Sequence, residues 1–351
     1  MSHQIGSLQG VARRDFMKTT AAAAVAGAGV LAGGVKTPAR AAEKEDGLDY
    51  RNHRPDKMAY RKLGKTNFMC SRLVFGCGAA LIGGRAVRLL DQAFENGINH
   101  YDVGYDDYYK GSEKALGPFL KAHQDEVWVT SKAPVRSGTL GDSYTVEVAK
   151  QEAEQWLKEL DRSLGNLGLD KVDAYYLMAV GNPAAVRSEE LHNAFYKAKE
   201  AGKVDHFGIS THKQAGACLD AAVECDCYSL AMIAITPGGW YDWDTKALLA
   251  GTPNMKALRP QLDKAREAGI GLVGMKAGRF IAPGTALGKG DETAFDGEYD
   301  EKFMQIQLTA FQRSYAFVLE NGMDVVNADM QNFTHFEDNL IAARSAHEYF
   351  A

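Results

Sequence analysis

The 351-residue chain lacks several features that mark whole protein classes. Its one extended run of small apolar residues, 21–34, is Ala/Gly-rich and too mild for a multi-pass membrane protein. Basic charge is not in excess: 40 Lys and Arg stand against 45 Asp and Glu, for a net charge of −5, so nothing points to a nucleic-acid partner. The five cysteines (Cys70, Cys77, Cys218, Cys225 and Cys227) are odd in number and show no paired C-x-x-C spacing. That argues against a disulfide framework or a metal site, and they read as mostly buried thiols. What remains is average for a soluble globular protein, 46% hydrophobic and 24% charged, long enough for two domains or one large barrel.

Residues 1–41 read as an address. Arg13 and Arg14 precede Phe16 and Lys18, then come the Ala/Gly run and a small-x-small site at Ala39-Arg40-Ala41. This layout fits a twin-arginine signal peptide, with Ala12 where Ser or Thr is usual. It predicts export, a periplasmic or otherwise exported location, engagement of the twin-arginine machinery, and no stable membrane span after cleavage. Residues 42–57 read as a polar linker, leaving 58–351 as the folded domain.

Within that domain short β-rich runs alternate with longer segments of helical periodicity. The strands are expected at 73–77, 99–104, 127–132, 173–178, 206–210, 229–235, 271–276 and 324–330. Gly97, Gly202, Gly269 and Gly322 stand where helices should stop. Eight β/α units predict an α/β fold, a closed (β/α)8 TIM barrel, and 60–70, with Gly64-Lys65-Thr66-Asn67, predicts an N-terminal β-hairpin under it. An open doubly wound sheet is the alternative, but no G-x-G-x-x-G follows any strand.

The C-terminal strand ends carry the chemistry of such a barrel. They hold Asp102, Lys132, Ser210, Lys276 and, near the last, Asp329. Burying a charge is costly unless it is paired, so Asp102 and Lys132, on adjacent strands, are expected to meet. Trp240, Tyr241 and Trp243, in 236–246, offer aromatic faces for a substrate or pack the loop against its own barrel. Residues 284–300 are Gly- and acid-rich and read as a mobile flap.

GINHYDVGYDDYYKGSEKALG resembles the signature around the catalytic Asp and Tyr of the aldo-keto reductases. VWVTSK, DRSLGNLGLDKVDAYYLM, AGKVDHFGISTH and FEDNLIAAR are similar to further elements of that family, in the same order. The resemblance implies an NADP cofactor, with NAD as the alternative, whose reduced form (NADPH or NADH) passes a hydride to a small-molecule carbonyl substrate. It implies a Tyr proton donor whose pKa is lowered by a Lys paired to an Asp. An unaided phenol near pKa 10 is a poor acid at neutral pH, and a nearby cation favours its anion. The matching positions are Asp102, Tyr109 and Lys132, with Tyr105 and Tyr108 as competitors for the phenol. For the cofactor they are Ser210, Thr211, Lys276, Arg279, Asp338 and Asn339.

Two departures stand out. Met178 occupies the place of the family's carbonyl-orienting His, and a thioether donates no proton. His212 could substitute for that group. The family's Lys-Ser pair for the adenosine 2′-phosphate is missing, and His335 falls where its Arg is usual. Three functions follow: an aldehyde or ketone reductase; a non-catalytic relative that binds a dinucleotide or small ligand; or an enzyme using tightly held cofactor for oxidation.

Overall fold

A computed structural model of the protein describes residues 47–135, 143–282, 289–328 and 330–345. The chain divides into two units, Met1–Ala42 and Glu43–Ala351. The expected signal peptide, Asp329 and residues 284–288 of the expected flap lie outside the described residues.

Eight strands close into a parallel barrel. They are β1 (Leu73–Gly76), β2 (His100–Asp102), β3 (Trp128–Pro134), β4 (Val172–Met178), β5 (Val204–Thr211), β6 (Tyr228–Thr236), β7 (Gly271–Met275) and β8 (Val325–Ala328). Each pairs with the next, and β8 pairs with β1. Every strand is followed by an outer helix: α1 (Arg88–Glu95), α2 (Ser112–His123), α3 (Val146–Leu167), α4 (Glu189–Glu200), α5 (Ala215–Glu224), α6 (Arg259–Glu267), α7 (Ala310–Glu320) and α8 (Phe333–Ser345). The fold is the expected (β/α)8 barrel.

Local chemistry explains the boundaries. Ser188 caps α4 by accepting from Leu191 N, and Thr309 with Gln312 forms a capping box on α7. Gly97, Gly202 and Gly269 end their helices with φ of 82°, 72° and 77°, a conformation that costs other residues a steric clash.

Alternation along the strands separates two cores. The inner one contains Val74, Trp128, Ala174, Tyr176, Leu230, Met232, Val273 and Val325. The hairpin strands Tyr60–Lys62 and Met69–Ser71 plug its floor with Leu63, Phe68 and Cys70. Phe68 stacks on Trp128, 4.6 Å between centroids. The described part of the expected linker, 47–57, belongs to this floor. Arg51 pairs with Asp173 at 2.7 Å and donates to Val127 O, and Asn99 donates to Arg51 O. These are specific, partly buried contacts of a kind that a solvated linker does not make.

The expected loop at 236–246 is largely a β-extension. Gly239–Asp242 folds back antiparallel on β6, and Ala247–Leu248 pairs with it in turn. Trp240 and Tyr241 are buried by this turn. In the expected flap, the described Phe295 is buried and packs edge-on against Phe280. Cys70, Cys77 and Cys218 are buried thiols, whereas Cys225 and Cys227 are half-buried.

Candidate active site

Asp102 ends β2 and Lys132 points inward from β3. The register sets Asp102 beside Thr130, so Lys132 stands one inward step higher and its ammonium reaches back to the carboxylate. The lysine stem lies on Gly104, where a β-carbon would come within 2.7 Å of Lys132 Cγ. Lys132 Nζ donates to Asp102 Oδ1 at 2.8 Å, to Oδ2 at 2.6 Å, and to Val103 O. Both side chains are only about 5% exposed. Asn327, inward on β8, is a second donor group to the carboxylate, Nδ2 to Oδ2 at 2.7 Å. Charge-assisted hydrogen bonds of this kind compensate the desolvation that would otherwise expel the pair.

The tyrosine-rich loop after β2 is sorted by its contacts. Tyr105 donates its hydroxyl to Asp107 Oδ2 at 2.7 Å, and the Arg162 guanidinium lies over its ring. Tyr108 is 57% exposed. Tyr109 packs edge-on against Tyr108 and lies against Gly78, just past the end of β1. The loop continues through the short helix Asp106–Tyr109, which ends at Lys110 in a left-handed conformation.

Met178, Ser210 and Met232 share one level of the barrel wall. All three are buried. Tyr176, beside Lys132 in the register, lies flat against Gly208, and its side chain is fully buried. Burial, reinforced by the charge of Asp102, raises the Tyr176 phenol well above its ordinary range, so it stays protonated. His212 follows β5. Burial, then the charges of Lys276 and Lys132, hold its imidazole well below its usual value and therefore neutral. Its ring stands 5.4 Å from that of Trp243.

Trp243 also gathers cations. Lys246 Nζ lies 3.2 Å from its ring centroid, Lys276 Nζ 5.0 Å and Arg279 Cζ 5.7 Å. Lys276 and Arg279 are two ends of one turn, closed by Arg279 N donating to Lys276 O. Lys276, just past the end of β7, takes φ of 74°, a left-handed conformation uncommon for a residue with a side chain. Among the other expected cofactor residues, Ser210 is buried on β5. The Thr211 hydroxyl closes the following turn on Lys213 O at 2.6 Å. Asp338 accepts from Gln312 of α7 at 2.8 Å, and Asn339 is buried on α8, donating to His335 O. The structure thus brings Asp102 and Lys132 together and gathers Lys276 and Arg279 at Trp243. Asp338 and Asn339 bond within and between outer helices.

Sequence reasoning missed Asn327, Tyr176 and Lys246. Asn327 and Tyr176 are inward by the alternation of their strands, which is the one signal that could have flagged them. Lys246 becomes visible only when the β-extension folds back.

A (β/α)8 barrel with a buried carboxylate–ammonium pair beside a tyrosine-bearing loop is the class of protein that fold and site define. Residues 76–232, from the end of β1 into β6, match the sequence model of the Aldo/keto reductase family. The matched stretch contains Asp102, Tyr109 and Lys132, while Lys276, Arg279 and Asn327 lie beyond it. The chain is 28% identical over 156 residues to the uncharacterized oxidoreductase YqkF of Bacillus subtilis (strain 168), covering 44% of this chain and 49% of that protein. It is 30% identical over 170 residues to L-glyceraldehyde 3-phosphate reductase of Escherichia coli (strain K12), covering 44% and 46%. The chain therefore spans about half the length of the curated relatives it matches. The fold is similar to the crystal structure of the thermostable aldo-keto reductase Tm1743, with a TM-score of 0.56 over 82% of this chain and 94% of that one, at 19% identity.

Proposed function

We propose that the protein is an NAD(P)H-dependent oxidoreductase that reduces an aldehyde or ketone. One observation carries the reading: the buried Asp102–Lys132 pair at the C-terminal ends of adjacent strands, next to the loop that bears Tyr109. Tyr109 is the proton donor in this reading. Lys132, with its charge fixed by Asp102, lowers the cost of forming the phenolate. A bound nicotinamide would supply the hydride. The cations near Trp243 fit a dinucleotide at the β7 end of the mouth, where Lys276 and Arg279 would meet its pyrophosphate. NADP is the proposed form, with NAD as the alternative. Ser210 and Thr211 at the end of β5, and Asp338 and Asn339 on α8, are further proposed contacts.

Met178 favours a second reading, a dinucleotide-binding relative without turnover, because its thioether cannot hold a carbonyl oxygen. The N-terminal layout adds the proposal that the protein is exported by the twin-arginine route.

The experiment is a purification followed by release of bound nicotinamide and NADPH consumption over an aldehyde panel. The reductase reading expects consumption that Tyr109→Phe abolishes. Binding without turnover supports the second reading, and neither binding nor turnover removes both. Full activity in Tyr109→Phe removes Tyr109 from its role.

A further inference from the structure

Two of the cations at Trp243 sit on strained backbone. Lys246 takes φ of 55° and Lys276 φ of 74°, left-handed values that a residue with a side chain adopts at a cost. Such strain persists only where the surrounding structure enforces it, and it collects at ligand sites. Both lysines converge on one indole, Lys246 Nζ at 3.2 Å and Lys276 Nζ at 5.0 Å from its centroid.

Lys246 has donors to spare. Among the described residues its ammonium makes no hydrogen bond or ion pair, and the indole is its partner. The acids of its own hairpin are engaged elsewhere. Asp244 pairs with Lys213 at 2.5 Å, and Asp242 accepts from Asp244 N at 2.9 Å and from Thr245 Oγ1 at 3.1 Å. A half-buried ammonium with three N–H groups, held over a ring, is a preformed donor for an anion.

The hairpin tip is fixed at the end of β5. Trp243 N donates to His212 O at 3.3 Å, and the two rings stand 5.4 Å apart. The neutral His212 imidazole feels the charges of Lys276, Lys132, Arg279 and Lys246. Lys132 and Lys246 thus act on one ring, the first from the proposed reaction centre and the second from the hairpin. The whole chain is acidic, with net charge −5, so this positive mouth is a local feature that draws anions inward. In the proposed reduction Lys276 and Arg279 meet the cofactor pyrophosphate, which leaves Lys246 over. Met178 offers no donor at the carbonyl end, so orientation has to come from contacts at the far end of the substrate.

We infer that Lys246 binds the anionic group, a phosphate or a carboxylate, of a substrate whose carbonyl is reduced beside Lys132. The inference rests on the proposed reduction and names its substrate class, an aldehyde or ketone with an anionic far end. Trp243 and the strained turn hold the ammonium in place, and no bond is made or broken at Lys246.

The test uses aldehydes matched in length, with and without the anion. The pairs are succinic semialdehyde with butanal, and glyceraldehyde 3-phosphate with glyceraldehyde. Each is assayed with NADPH in the parent protein, Lys246→Met and Lys246→Arg. The parent is expected to show kcat/KM about tenfold or more higher for the anionic member of at least one pair. Lys246→Met should remove that preference through KM for the anionic aldehyde, with KM for the neutral aldehyde and for NADPH within about twofold of the parent. Lys246→Arg should keep most of the preference. A parent without preference, or a Lys246→Met that retains it, overturns the inference. A loss that falls on KM for NADPH instead moves Lys246 to the cofactor and overturns it as well. A parent that turns over none of the four aldehydes removes the reductase reading itself. Quenching of Trp243 fluorescence by inorganic phosphate and by succinate, assigned through Trp243→Phe, then decides the anion site separately. Quenching lost in Lys246→Met upholds that site, and quenching absent from the parent or unchanged in Lys246→Met overturns it.

Discussion

The ring of Tyr109 covers Gly78. A β-carbon on that glycine would stand 2.7 Å from Tyr109 Cε1 and 2.8 Å from Cζ, closer than packed carbons approach. The first strand's exit loop thus sets where the phenol lies. Gly78→Ala should push the ring aside and lower kcat for carbonyl reduction about tenfold or more, since small misplacements of a reacting group are costly. The melting temperature should move by only a few degrees. Steady-state kinetics beside a thermal melt read both. An unchanged kcat would mean that the Tyr109 position does not matter.

The Asp102–Lys132 pair should show the asymmetry of buried charges. Lys132→Met leaves a buried carboxylate without its cation and should cost about 3–5 kcal/mol of stability. The double variant Asp102→Leu, Lys132→Met should lose clearly less, because no charge is stranded. Urea unfolding of the parent, the single variant and the double variant gives the comparison.

His100 should make the protein acid-sensitive. It is fully buried, donates or accepts between Thr130 Oγ1 at 2.9 Å and Cys70 Sγ at 3.5 Å, and burial lowers its pKa to about 3. His206, stacked on Trp128, is lowered to about 4, again mainly by burial. The unfolded chain binds protons at both sites near pH 6.5, whereas the folded protein does not. Stability from these groups is therefore complete above about pH 6.5 and is lost as pH falls toward 4 and then 3. Denaturant unfolding from pH 7.5 to pH 4 should show this slope, and His206→Phe should flatten it. A slope unchanged in that variant would assign the acid sensitivity elsewhere.

The cations around Trp243 should govern cofactor affinity and leave the chemistry largely alone. Arg279→Ala and Lys276→Ala should each raise KM for NADPH about tenfold with kcat within about twofold. The parent affinity should weaken as salt rises. Quenching of Trp243 fluorescence offers a direct titration, with Trp243→Phe as its blank. Equal losses with NADPH and NADH would put the two cations on the pyrophosphate, and a loss confined to NADPH would put them on the 2′-phosphate.

Much of this was legible in the linear chain. All eight strands fall within about two residues of their expected positions, because a buried parallel strand is a short apolar run and the glycines after the helices mark the stops. Asp102 and Lys132 were also legible, since a charge at the end of an apolar strand needs a partner. The loop at 236–246 was not, because its alternation is too short to separate a β-extension from a packed turn. The floor contacts of Arg51 were hidden in a polar stretch whose partners, Asp173 and Val127, lie over seventy residues away.

The sequence by itself determined the barrel and the identity of its ionic pair, through periodicity and the cost of an unpaired buried charge. Only the tertiary structure decided that Asn327 completes the pair, that Tyr109 rests on Gly78, and that three cations meet at one indole. Those contacts join strands and loops far apart in the chain, and closure of the barrel is what brings them within a few ångströms.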